Sequence, residues 1–187
     1  VRARLHHLFL DAPARVKTAL VRYIARRDRE ASLIVGRYIE ASSHRIRAAR
    51  PFLRPLHAAG QHHDVLSIFN ALNHKYFGGT VDALVTWGRV GARRGEARRT
   101  LKLGSYSAVE RLIRVHPTLD RGWIPRYFVS YIVYHEMLHH VIPAEVAGSR
   151  RILHPRKFHD REHLFRDYDR ALAWERKHIH RLLRARV

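Results

Sequence analysis

The chain contains no cysteine in its 187 residues. Neither a disulfide nor a thiolate metal site is open to it, so any metal must be held by histidine and carboxylate. Acidic residues are scarce: 16 Asp and Glu stand against 36 Lys and Arg, a formal net charge of +20. No apolar run approaches the ~20 residues of a membrane span, so no membrane is expected among the partners. No basic-then-apolar leader pattern is visible, and a cytoplasmic location is the expectation. What the chain has instead is arginine, 16 histidines and 46% hydrophobic residues, enough for a core.

The positive charge is uneven. Residues 1–60 carry 13 basic and 4 acidic side chains, 88–103 carry 6 and 1, and 146–187 carry 12 and 5. Between them, 104–145 balance at 4 and 4. A neutral stretch flanked by basic ones attracts polyanions, nucleic acid first. Surface lysine replaced by arginine throughout a proteome would give the same excess without a partner.

Helical periodicity runs from Asp11-Ala-Pro13 to about Arg27, with Val16, Leu20, Tyr23 and Ile24 as its apolar face. A second helix follows Asp28 as cap, presenting Leu33, Ile34, Tyr38 and Ile39, and Pro51 ends the region. A third starts near Asp64, carries Val65, Ile68, Phe69, Leu72 and Tyr76, and stops at Gly78-Gly79. Three strands are expected in 84–90, 100–107 and 109–117, the last alternating Val109, Arg111, Ile113 and Val115 against Glu110, Leu112 and Arg114. "GARRGEARR" between the first two reads as a basic hairpin tip. An apolar helix then runs from Pro125 to Pro143, and a closing helix over roughly 160–183 offers Leu164, Phe165, Tyr168, Leu172, Trp174 and Ile179 to the core. The order is α+β: N-terminal helices, a short antiparallel sheet, a central helix and a closing helix. Residues 1–60 read as a basic helical extension and 61–187 as the main domain.

The central helix contains H-E-x-x-H as His135, Glu136 and His139. Positions i and i+4 share one helix face, so two imidazoles can reach one zinc ion with the Glu beside a bound water. Chance placement of 16 His and 8 Glu gives this pattern in roughly one such chain in twenty, so the rest of the chain must decide. A catalytic zinc takes three protein ligands and leaves one position for water. The third ligand must lie downstream. The spacing H-E-x-x-H-x-x-G-x-x-H fails, because Ile142 and Glu145 stand where Gly and His are needed. His140 points about 100° away from His139. The remaining candidates are Glu162, His154, His159 and His163.

Four segments resemble the SprT-like (Spartan-type) zinc metallopeptidase domain. They are "IFNALNHKYFGG" (68–79), "VTWGR" (85–89), "VSYIVYHEMLHH" (129–140) and "HPRKF" (154–158). The last is similar to the family's H-G-x-x-F element, with Pro155 in place of Gly, and the family's spacing points to His154 as third ligand. The resemblance covers about 64–175 and implies a zincin-like fold. It further implies a Zn2+-dependent metallopeptidase, with metal ligands His135, His139 and His154, Glu136 as catalytic base, and a protein substrate at or near DNA. Residues 1–60 lie outside it. The competing expectation is a basic nucleic-acid-binding protein with a structural, catalytically silent zinc. A fourth ligand from His159 or His163 would mark that case. A zinc hydrolase of small substrates is a third. Tyr131, one turn before His135, is expected to pack under the site; Tyr134, Met137 and Trp87 are expected to pack in the core.

Overall fold

The structure is a computed structural model that describes residues 5–42, 56–89, 101–148 and 150–185. It divides into two compact units, one of Val1–Leu53, Ala108–Glu110 and Glu145–Ile152, the other of Arg54–Ser107, Arg111–Ala144 and Leu153–Val187. The architecture is mixed α+β.

The first unit holds helices α1 (Ala14–Arg26) and α2 (Arg29–Ala41). Pro13 pre-sets the entry to α1, and Arg27 in the left-handed region ends it. The Asp28 carboxylate then accepts the Ala31 amide at 3.0 Å, satisfying an orphan donor of α2. The buried face is narrower than the sequence periodicity indicates. Ala19, Leu20, Ala31 and Val35 form the core, while Tyr23 and Ile24 stand exposed. Two of these four buried residues, Ala19 and Ala31, are small. Segments 145–152 make a two-stranded hairpin, Glu145–Ala147 paired antiparallel with Arg150–Ile152, and Arg151 bonds Glu40 at 2.7 Å. The expected break at Pro51 lies outside the described residues.

In the second unit α3 (Val65–Phe77) is capped by Asp64, whose carboxylate accepts the Leu66 and Ser67 amides at 2.9 and 3.0 Å. Gly78 at φ 59° ends it, a conformation that favours glycine. Strands β1 (Leu84–Trp87), β2 (Gly104–Ser107) and β3 (Leu112–Val115) follow. Their order is β1-β3-β2, with β3 parallel to β1 and antiparallel to β2. The sheet is therefore mixed, where an antiparallel one was expected, and β1 and β2 are not two arms of a hairpin. The physical reason lies in β3. Leu112, Ile113 and Val115 are all buried, so this strand belongs in the middle with both faces covered. Arg111, expected within the strand, sits at φ 48° in the turn before it. The basic segment 91–100 lies outside the described residues.

Helix α4 (Arg126–Val141) packs against α3 and the sheet. The closing helix is two helices, α5 (Arg156–Glu162) and α6 (Tyr168–Arg184). Between them the Leu164 and Phe165 amides bond the carbonyls three residues back, at 3.2 and 3.1 Å. These tightened turns shift the register, so Phe165 enters the core and Leu164, expected there, is 62% exposed. Trp174 packs on Phe128 with ring centroids 4.3 Å apart, and Trp87 packs against the core from β1. Among the described residues no helix is long and apolar enough to cross a membrane.

Candidate metal centre

Helix α4 is apolar almost all round. Val129, Ile132, Val133, Tyr134, Met137 and Leu138 are buried, which fixes both its position and its rotation. On that framework His135 and His139 fall one turn apart, their ring centroids separated by 5.0 Å. His154 comes from the chain entering α5. Pro155 sits at the helix boundary with φ −69°, a value proline adopts without strain. The Phe158 ring, fully buried, lies 5.0, 4.8 and 4.5 Å from the rings of His135, His139 and His154 and forms their common floor.

The three histidines converge. One nitrogen of each lies within 4.8 Å of the others, forming a group that could hold a metal ion. Nε2 of His139 faces Nε2 of His154 at 3.1 Å. Burial, reinforced by the neighbouring His135 and His154 charges, lowers His139 to about 4. Burial likewise lowers His154. Both rings are therefore neutral near pH 7, the protonation state a metal ligand needs.

Glu136 lies beside Gly104 of the edge strand β2 and is 5% exposed. A Cβ placed on Gly104 would lie 2.6 Å from Glu136 Oε1, so glycine at this position makes room for the carboxylate. Burial raises the Glu136 pKa, while the His135 and Lys102 charges and the Tyr106 amide partly offset the rise.

Glu162 is not in the three-histidine group. Its Oε1 meets His135 Nδ1 at 2.7 Å and accepts the Tyr131 hydroxyl at 2.9 Å. Burial pushes its pKa up, but the His135 hydrogen bond and charge, then the Tyr131 hydroxyl, outweigh it and hold the group below the ordinary value. His140 turns to β2, where Nδ1 meets the Tyr106 hydroxyl at 2.9 Å. His159 is exposed, with Nδ1 3.6 Å from Glu162 Oε2. His163 bonds the His159 carbonyl and packs on Tyr168 at 4.4 Å. Tyr134 is buried and donates to the Arg161 carbonyl at 2.7 Å.

Sequence reasoning missed the partnership of Glu162 with His135, the Phe158 floor and the space at Gly104. Only the first had a visible signal: Glu162 follows Phe158 by four residues, one turn along α5. Comparison of the chain with models of known protein families, with curated proteins and with solved structures finds no match.

Proposed function

We propose that the chain is a zinc-dependent metallopeptidase acting on protein associated with DNA. The observation that carries the reading is the convergence of His135, His139 and His154 within 4.8 Å, with Glu136 one residue along the same helix. Two imidazole nitrogens on one tetrahedral zinc, each at ~2.0–2.1 Å, lie about 3.3 Å apart. The observed 3.1 Å between His139 and His154 Nε2 is close to that. Three neutral nitrogen donors without thiolate suit zinc held with one position left for solvent.

His135, His139 and His154 would hold the ion. The chemistry zinc would supply there is Lewis acidity toward water and a peptide carbonyl. Glu136 accepts the proton of the attacking water at its carboxylate and delivers it to the leaving amine. Against a silent structural zinc stands the place of His159 and His163. Among the described residues, neither joins the three-histidine group. The DNA part of the reading rests on the +20 charge and its distribution on both sides of the neutral stretch, together with the resemblance to the SprT-like domain.

The test begins with zinc content. His154→Ala empties the site, whereas His159→Ala and His163→Ala retain one zinc per chain. Cleavage of a basic protein is then followed with and without DNA at low and physiological salt. DNA accelerates cleavage, and replacing Arg93, Arg94, Arg98 and Arg99 by Ala flattens the salt dependence of DNA binding, zinc content being unchanged. Cleavage indifferent to DNA, with no DNA affinity at low salt, removes DNA from the reading and leaves the peptidase. Full zinc without hydrolysis of any protein leaves a structural site.

A further inference from the structure

We infer that Glu162 is the positioning residue of the metal centre: one side chain fixes the His135 ring and ties to α4 the short helix whose entry carries His154. The inference rests on the metal-centre reading above and extends it to how the ligands are held in place. Helix α5 has seven residues, Arg156–Glu162, too few to be helical unaided. Three side chains of α4 grip its C-terminal end, and they share one helix face: Tyr131, Tyr134 and His135, at i, i+3 and i+4. Tyr134 donates to the Arg161 carbonyl at 2.7 Å. Tyr131 and His135 both end on one oxygen of Glu162, at 2.9 and 2.7 Å. At the other end of α5, Phe158 is fully buried under the three rings, and His154 immediately precedes the capping Pro155.

Two consequences follow for His135. A carboxylate accepts and does not donate, so the ring proton resides on Nδ1 and Nε2 is left with a lone pair for the metal. The negative charge behind the ring makes that nitrogen a stronger donor. His154 is reached through the same carboxylate, because Glu162 anchors the helix that the His154 segment leads into. His159 Nδ1 lies 3.6 Å from the second oxygen, Oε2.

The test measures zinc affinity by competition with a chromophoric chelator, with the thermal midpoint of each metal-free protein as control. Glu162→Gln keeps the shape and one acceptor oxygen but removes the charge. Its zinc affinity falls about 10–100-fold, the usual effect of losing a residue that supports a metal ligand. Glu162→Ala falls further, since both the ring and α5 lose their hold. Tyr134→Phe, which removes only the hydroxyl bond to the Arg161 carbonyl of α5, falls less than either. A purely structural role would lower the metal-free midpoint and leave the affinity of the folded protein as it was. A Glu162→Gln affinity within twofold of the parent overturns the proposal. Independently of any variant, the zinc-loaded parent labelled with 15N-histidine is examined by NMR. A protected proton on His135 Nδ1 supports the assignment, and a proton on Nε2 overturns it, even if Glu162→Gln does not fold. A parent that binds no zinc overturns the metal-centre reading itself, and this proposal with it.

Discussion

Helix α4 buries nine of its 16 residues, whereas α1 buries three of its 13. Both are helices of one arginine-rich chain, yet their side chains serve opposite ends. The residues of α4 that are not buried include His135, His139 and His140. Around them the helix is clamped by Phe128, Tyr131, Tyr134 and Met137. On α1 the exposed set includes Val21, Tyr23 and Ile24 together with Arg15, Lys17, Arg22 and Arg26. The difference shows what a candidate metal centre would ask of its scaffold. Ligands must be held to within about 0.5 Å, and burial on most sides of the helix supplies that rigidity. A helix half in water can carry charge but cannot aim a side chain so narrowly.

The largest effect expected from breaking this contrast is chemical. Glu136→Gln leaves the burial of α4 and the three histidines as they are, because Gln has the shape of Glu. It cannot accept the proton of the attacking water, so peptide hydrolysis falls about 10²–10⁴-fold with zinc stoichiometry equal to the parent. Metal analysis and single-substrate kinetics on the same preparations decide it. Full activity in this variant removes Glu136 from the mechanism. Next in size is packing. Phe128 is fully buried and its ring lies 4.3 Å from that of Trp174. Phe128→Ala costs about 3–5 kcal/mol of unfolding free energy by denaturant titration. A loss below about 1 kcal/mol would mean that α4 is less tightly held than its burial implies.

Much of the central helix was legible in the sequence, for a physical reason. Periodicity reports burial, and the i, i+4 histidines report a shared face, both local properties. Asp64 and Gly78-Gly79 marked the ends of α3 equally well, because caps are local too. Strand order was not legible. That β3 lies between β1 and β2 depends on Leu112 being buried as well as Ile113, and the two-sided alternation around Arg114 conceals this. The closing helix misled because Leu164 and Phe165 both suit a helical stripe; only the turn at 163–167 decides which one enters the core. Of the site, the histidine pair was local, and His154 came from resemblance across a gap of 15 residues. Glu162 was read as a possible ligand because a carboxylate beyond the helix offers the same atoms whether it meets the metal or the histidine behind it. Position alone separates those two roles, and it is set by the tertiary docking of α5.

The two helices differ also in their response to acid. His139 is lowered from 6.5 to about 4 by burial first and then by the neighbouring positive charges, and His154 is lowered in the same sense. Histidines depressed on folding bind fewer protons folded than unfolded. The His139 contribution to the metal-free protein is complete above about pH 6.5 and is lost as the pH falls toward about 4, and the His154 contribution is lost in the same direction. At the start of α2, Asp28 is lowered from 3.8 by the Ala31 amide and by Arg22. That contribution is present above 3.8 and is lost only at lower pH. Residue-resolved hydrogen exchange, corrected for the intrinsic pH dependence of exchange, therefore shows amides of α4 losing protection between pH 6.5 and 4. Amides of α1 and α2 keep theirs until the carboxylates protonate. Equal loss in both regions over that range would mean that the histidines do not set the acid limit.

The smallest effect is expected on the open face of α1. Val21, Tyr23 and Ile24 are 65%, 44% and 38% exposed, so polar replacements leave little apolar surface newly in water and open no cavity. Substitutions of this kind usually change stability by no more than about 0.5 kcal/mol each. Leu20, on the same helix but 8% exposed, is the internal comparison: Leu20→Ala costs about 2–5 kcal/mol if its seam packs as a true core. Val21→Gln, Tyr23→Ser and Ile24→Gln are measured singly and together by denaturant unfolding at two protein concentrations. A combined change under about 1.5 kcal/mol, independent of concentration, identifies the face as solvated. A larger loss that shrinks as both proteins are diluted would show the same face covered by a second copy of the chain. The contrast with α4 would then lie in which partner buries each helix, and no longer in whether it is buried.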